Sequence, residues 1–540
     1  MRHFLVSTVV LAALIVAACV DGTTQAGSRD VSPIEASGTT ESESGAWRST
    51  PAISDRDLSA HVGFLADDEL EGRFPGTEGI REAEEYIASE FERAGLSPTL
   101  HEFTVYQHGF DPSRSTVSIT VDGERREAEM DRSFVPFWFS GDGALEAQLV
   151  FAGYGITAPE HDYDDYAGLD VEGKIVFLFR HEPNEADPDS VFNGAEFSRH
   201  AYFSTKAETA YENGAAGLIL VTDPLHHDTD DFVIMPSMSL SEESPRAGNR
   251  NQPAVGDEFL AVHISQDLGR WIAGRWGMAL EDLQAHLDRG GRPAELSPAE
   301  AQAAVAITRR RPAVEITARN IVAVRSSRGA ESYIVIGAHH DHLGIGAGSE
   351  DRTYNGADDN ASGVGAVLEL AASLPALPGH NLAFVTFSAE EQGLFGSRVF
   401  VESGPIPPDA ISAMINFDMI GRNPDQPVRL YLGRMTADMG SAVREAAGRS
   451  EVPMEFDTGR IRAASDHFPF YEAGIPVVSF FTGVHDDYHA PSDSAEKLDY
   501  HRMETIVKTA AEIVRAVAQH GPVTVASEAG RSTLGETHGR

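Results

Sequence analysis

Residues 334–344 read IVIGAHHDHLG. Ile334-Val335-Ile336 is a short apolar run of the kind that forms a strand buried on both faces, and His339 lies just past its carboxyl end. The pattern recurs. FVTFSAEEQG (384–393) and MINFDMIG (414–421) each end an apolar strand on acidic residues, and the strand over Pro476–Phe481 is followed by DDYHAPSD (486–493). Between the first two comes NGADDNASG (355–363), which opens a helix whose Val364, Val367, Leu368 and Ala371 keep a core-facing period. Strands alternating with helices predict an α/β layer fold with a largely parallel sheet after Pro312.

Ligands of open α/β sheets bind outside the carboxyl ends of the strands. His339, Asp359, Glu390, Glu391, Asp418 and His489 all fall at such ends or at the helix start, so they are expected to converge on one sheet edge. Buried carboxylates and imidazoles are costly unless paired, hydrogen-bonded or bound to a cation. Their joint order therefore points to a hydrolytic metal site, although His-Xaa-Asp or Glu-Glu alone is weak evidence. His340 and His342 are expected to point elsewhere and to take no metal, and His467 to be a hydrogen-bonded residue near the cleft. Asp493 is expected to support the His489 loop. His226-His227-Asp228, with Asp230 and Asp231, reads as an exposed loop. The chain has no G-x-S-x-G motif and no reactive cysteine to supply a rival nucleophile.

The chain has 540 residues, 41% of them hydrophobic, enough for two or three folding units. Its 42 basic against 83 acidic residues give a net charge of −41, which argues against nucleic-acid binding. Met1-Arg2-His3 precedes an apolar run from Phe4 to Ala18, short for a membrane span and suited to a signal peptide. Val16-Ala17-Ala18-Cys19 resembles a bacterial lipobox, which implies cleavage before Cys19, lipid on Cys19 as the membrane contact, and an exported protein of the cell envelope or outside it. The Ser-, Thr-, Gly- and Glu-rich stretch 19–50 reads as a flexible tether and 521–540 as a disordered tail.

Together these segments resemble peptidase family M28, dinuclear zinc aminopeptidases, in the branch carrying a protease-associated (PA) insert. LADDELEGRFPGTEG (65–79) is similar to that family's amino-terminal segment, and GYGITAPEHDYDDYAGLDVEGKIVFLFR (153–180) and YENGAAGLILVTD (211–223) to the insert. The resemblance implies a three-layer zinc-exopeptidase fold around a mixed, mostly parallel sheet. The peptidase domain would span 51–142 and 301–520, with a mainly-β PA domain over 143–300. It also implies two Zn2+ per chain. Asp359 would bridge them, His339 and Asp418 would complete one ion's ligands, and Glu391 and His489 the other's. Glu390 would be the general base, and Asp341 would orient His339 by accepting its remaining N–H. A cis peptide is implied between Asp359 and Asn360. The expected activity is release of amino-terminal residues from peptides. Relatives on this scaffold include carboxypeptidases acting on acidic carboxyl-terminal residues, glutaminyl cyclases with one zinc, and binding proteins that have lost the metals.

Overall fold

Apolar side chains alternate along the strand Ser332–His339, and that alternation builds two layers at once. Ile334, Ile336 and Ala338 pack against one helical layer and Val335 against the other. The first layer contains the helices Asp55–Leu65, Glu78–Arg93, Gly363–Ser373, Ala437–Ala447 and Tyr500–Ala518, which present Leu58, Val62, Ile87, Val364, Val443 and Ile506 to the sheet. The second contains Phe395–Ser403 and His467–Glu472, through Phe400 and Phe470. Gly337 is required by close approach, since a Cβ there would lie 2.7 Å from the Phe387 ring and 3.0 Å from the Val385 carbonyl. The computed structural model describes residues 52–520 other than 193, 195–197, 228–236, 242–252, 297, 347–351, 460 and 462–463. The expected signal peptide, Cys19, the tether, the tail, and Asp228, Asp230 and Asp231 lie outside the described residues.

Among the described residues the sheet has nine strands. In spatial order they are Ser237–Ser239, Thr99–His108, Val314–Arg325, His380–Phe387, Ser332–His339, Ile411–Phe417, Val477–Phe481, Val428–Gly433 and Met454–Asp457. The four strands from His380–Phe387 to Val477–Phe481 are mutually parallel, as the α/β reading requires. The outer strands are attached by antiparallel pairings, apart from the parallel pair at the last edge. The sheet is therefore mixed, with a run of four parallel strands at its centre. The carboxyl ends of that parallel centre form the edge expected to carry the site.

A second sheet has, among the described residues, eight strands, in the order Glu124–Ala128, Thr116–Val121, Ala301–Ile307, Gly143–Phe151, Ile175–Phe179, Gly217–Val221, Leu260–Ile264 and Phe134–Pro136. The expected divisions at 142/143 and 300/301 fall inside this sheet. Residues 116–136 and 301–307 pair with it because their inward positions Val117, Ile119, Val121, Phe134, Ala303 and Val305 complete its core. Beside its sheet the insert carries three helices, Phe203–Glu212, Gln266–Arg275 and Leu280–Asp288. Ser237–Ser239 leaves it to pair with Thr99–His108 at the edge of the larger sheet, tying the two together.

Candidate active site

The six expected residues are delivered by the ends of five elements. His339 ends the strand Ser332–His339, Glu390 and Glu391 follow His380–Phe387, and Asp418 follows Ile411–Phe417. His489 lies in the loop after Val477–Phe481, and Asp359 in an irregular turn ahead of the helix Gly363–Ser373. The turn is entered through Gly356 at φ +55°, and its Asp359-Asn360 peptide is cis. Ala389, Met419 and His489 have left-handed backbone (φ 58°, 52° and 54°), which costs about 1–3 kcal/mol for a non-glycine residue and is a frequent mark of functional sites.

These side chains meet around Asp359. His339 Nε2 lies 3.3 Å from Asp359 Oδ1 and 3.6 Å from Asp418 Oδ1. On the other side His489 Nε2 lies 3.2 Å from Asp359 Oδ2 and 3.1 Å from Glu391 Oε2. His339 Nδ1 is 3.2 Å from the backbone carbonyl of Asp341. A carbonyl can only accept, so Nδ1 carries a hydrogen, and Nε2 is the ring nitrogen that faces the two carboxylates. His489 Nε2 and Asp418 Oδ1 are buried without a hydrogen-bond partner among the described residues. Four ligands at about 2.0–2.1 Å around a tetrahedral zinc lie about 3.3 Å apart. The observed spacings of 3.1–3.6 Å match that edge, so the donor set fits a metal on either side of Asp359.

Electrostatics point the same way. Burial alone would lower the basicity of both imidazoles, but the surrounding carboxylates reverse it. Glu390, Asp359 and Asp418 hold His339 well above the usual histidine range, and Glu391 and Asp359 push His489 up to about 10. Burial, aided by Asp466, Asp418 and Glu391 and opposed by His339, lifts the Glu390 carboxyl well above its ordinary value. The cluster thus concentrates negative charge that calls for cations.

The supporting contacts differ from expectation in two places. The expected hydrogen bond from His339 to the Asp341 carboxylate is replaced by one to the carbonyl of the same residue, with Oδ1 3.9 Å away. The carboxylate instead accepts the amides of Glu390 (3.1 Å) and Glu391 (3.4 Å), because the strand ends bring that turn directly beneath it. His342 does not point away. Its Nδ1 is 2.6 Å from Glu391 Oε1 and fixes that carboxylate's orientation.

Asp493 accepts the amides of Asp358 and Asp359 (3.0–3.1 Å), so it anchors the Asp359 turn. Asp466 is fully buried beside the cluster and is pushed up to about 7 by burial; nothing in its local sequence marked it. His467 stacks on Tyr431. Asn360-Ala361-Ser362 matches a glycosylation sequon, but Asn360 is buried, so the match is incidental. Arg73, from the 65–79 segment, is 1% exposed and donates to the carbonyls of Leu65, His340 (3.0 Å), Asn355 (2.6 Å) and Gly356 (3.0 Å), clamping the turn from behind.

Comparison with known proteins adds the lineage. Residues 320–514 match the family described as Peptidase family M28, and residues 145–272 match the PA domain. Aminopeptidase YwaD of Bacillus subtilis is 28% identical over 200 residues, 35% of this chain and 42% of its own length. A protein named probable lipoprotein aminopeptidase LpqL, from Mycobacterium tuberculosis, is 35% identical over 189 residues, 31% of this chain and 35% of its own. The chain thus spans about two-fifths of the length of these curated relatives. The solved structure of BSAP, a zinc aminopeptidase from Bacillus subtilis, shares the fold at a TM-score of 0.54 and 21% identity, covering 87% of this chain and 96% of that one.

Proposed function

From the premise that the chain carries a peptidase family M28 domain and a PA domain, we propose that it is an exported zinc aminopeptidase that removes amino-terminal residues from peptides. The observation that carries this reading is the pair of donor groups sharing Asp359, spaced as zinc ligands, with His489 Nε2 and Asp418 Oδ1 buried and without a hydrogen-bond partner among the described residues. His339 and Asp418 would hold one ion and Glu391 and His489 a second. Zinc bound there supplies Lewis acidity, lowering the pKa of water and polarising the scissile carbonyl.

The chain's own groups supply the rest. Glu390, with its amide pinned by Asp341, takes a proton from the attacking water on its carboxylate and passes it to the leaving amine as the C–N bond breaks. The carboxylate-rich cluster attracts a substrate ammonium group. Arg73, the arginine whose charge reaches Asp341, Asp359 and Glu391, spends its donors on backbone carbonyls and is not available to hold a substrate carboxylate. That favours the amino-terminal over the carboxyl-terminal direction.

The test compares one peptide with a free and with an acetylated amino terminus, before and after chelation and zinc return. Cleavage of the free peptide alone, lost with the metal and restored by zinc, is expected. Equal cleavage of both, or carboxyl-terminal trimming, would overturn the direction of attack. Lipid attachment at Cys19 is supported by Val16-Ala17-Ala18-Cys19 and by the relative named as a lipoprotein. It predicts labelled palmitate incorporation that Cys19→Ala abolishes, and incorporation persisting in that variant would remove the anchor.

A further inference from the structure

The insert repeats, in miniature, the arrangement that builds the peptidase site. Its strands Ile175–Phe179 and Gly217–Val221 are parallel neighbours. His181 and Glu185 follow the first, and Asp223, His226 and His227 follow the second. The expected exposed loop at His226-His227 is instead turned inward. His227 Nε2 lies 2.7 Å and His226 Nδ1 3.3 Å from Glu185 Oε1. His181 Nδ1 lies 2.6 Å from Asp223 Oδ1 and 3.5 Å from Glu185 Oε2, and the His181 and His227 rings stack with centroids 4.1 Å apart. Ligand atoms of His181, Glu185, Asp223 and His227 all lie within 4.8 Å of one another.

Two observations set this cluster apart from an ordinary hydrogen-bonded pair. Glu185 is 6% exposed, yet its Oε2 has no hydrogen-bond partner among the described residues although it faces the cluster. His227 Nε2 is likewise buried without a hydrogen bond despite its short approach to Glu185. Asp223 is completely buried, with one oxygen turned to His181 and the other to Gln284. Two carboxylates and two imidazoles from adjacent strand ends balance the charge of a divalent ion and offer it four donors.

We infer that His181, Glu185, Asp223 and His227 form a second metal centre, in the PA domain and separate from the Asp359 cluster. The nitrogen and oxygen donors suit zinc or a related transition ion, whereas calcium and magnesium take oxygen ligands. Ligation at about 2.0–2.1 Å would open the contacts of 2.6 and 2.7 Å to about 3.3 Å, a change of about 0.6–0.7 Å that loop residues on the two sides can share. No open chemistry is needed for its role. The ion would join the loop after one central strand to the loop after the next and so stiffen that end of the insert.

The experiment measures zinc per chain by elemental mass spectrometry in the full-length protein and in His227→Ala and Glu185→Gln, after zinc loading and exhaustive dialysis. Each variant is expected to hold one equivalent less than the parent, to keep aminopeptidase activity, and to lose the part of the zinc-induced rise in unfolding temperature that the parent shows. His227, at the rim with a side chain 30% exposed, decides the matter if Glu185→Gln does not fold. Equal zinc in parent and variants would overturn the site and leave a proton-shared His–carboxylate network. Because the readout is a difference between chains with the same peptidase centre, it stands or falls independently of what the Asp359 cluster binds.

Discussion

Replacing Arg73 with Met removes a buried cation from behind the site without touching any expected metal ligand. The guanidinium reaches four carbonyls, those of Leu65, His340, Asn355 and Gly356. Charge-assisted bonds contribute about 1.5–3 kcal/mol each, so the gross interaction is about 6–12 kcal/mol. Burial opposes it, because the guanidinium falls from 12.5 to about 10, a penalty on the charged form of about 3 kcal/mol. Relaxation and water entry reduce the remainder, and a net loss of about 3–5 kcal/mol is expected, as when other buried charged networks are broken. With a urea slope of about 3 kcal/mol/M or more, the unfolding midpoint should fall by roughly 1 M. Arg73→Lys keeps the charge but not the planar fork, so it should recover only part of the loss. Because Gly356 opens the Asp359 turn, zinc affinity should fall at least about tenfold in both variants. A midpoint within about 0.2 M of the parent, with unchanged zinc affinity, would show that the clamp contributes neither stability nor preorganisation.

Three further outcomes follow from the same geometry. Glu390→Gln should keep the parent's zinc content while its turnover falls by about 10²–10⁴-fold, and a near-parental rate would remove Glu390 as the base. His342→Ala frees the Glu391 carboxylate and should weaken zinc binding about 10–100-fold in competition with a chelator; unchanged affinity would deny it that role. In the insert, burial raises the Asp165 carboxyl from 3.8 to about 7. Between those values the folded chain keeps a proton the unfolded chain has released, so stability should fall as pH rises from about 4 to 7, by up to about 4 kcal/mol. The pH series for Asp165→Asn should lack this slope, and parallel curves for parent and variant would contradict the assignment.

The strand ends were legible because fully buried parallel strands leave a simple mark, an apolar run broken by charge. That is why His339, Glu390, Glu391 and Asp418 could be placed at one edge from the sequence. The contacts behind them were not legible. Whether Asp341 uses its carboxylate or its carbonyl depends on a turn of two residues, and the reach of His342 to Glu391 depends on how two strand-end loops pack. Asp466 and Arg73 act across 76 and 267 residues of chain from Glu390 and His340, distances at which no local pattern reports. The pairing of 116–136 and 301–307 with the insert's sheet was not legible because these are short strands whose partner sheet is set by register. His226 and His227 read as solvent-facing because their partner, Glu185, comes from a different strand end.

Zinc content of Asp359→Ala, set against Asp418→Ala and His489→Ala, tests the shared carboxylate most directly. Asp359 stands 3.3 Å from His339 and 3.2 Å from His489, one oxygen toward each. The account predicts that Asp359→Ala loses two equivalents of zinc and all activity, while each of the other variants loses one. A loss of one equivalent or none in Asp359→Ala would contradict it.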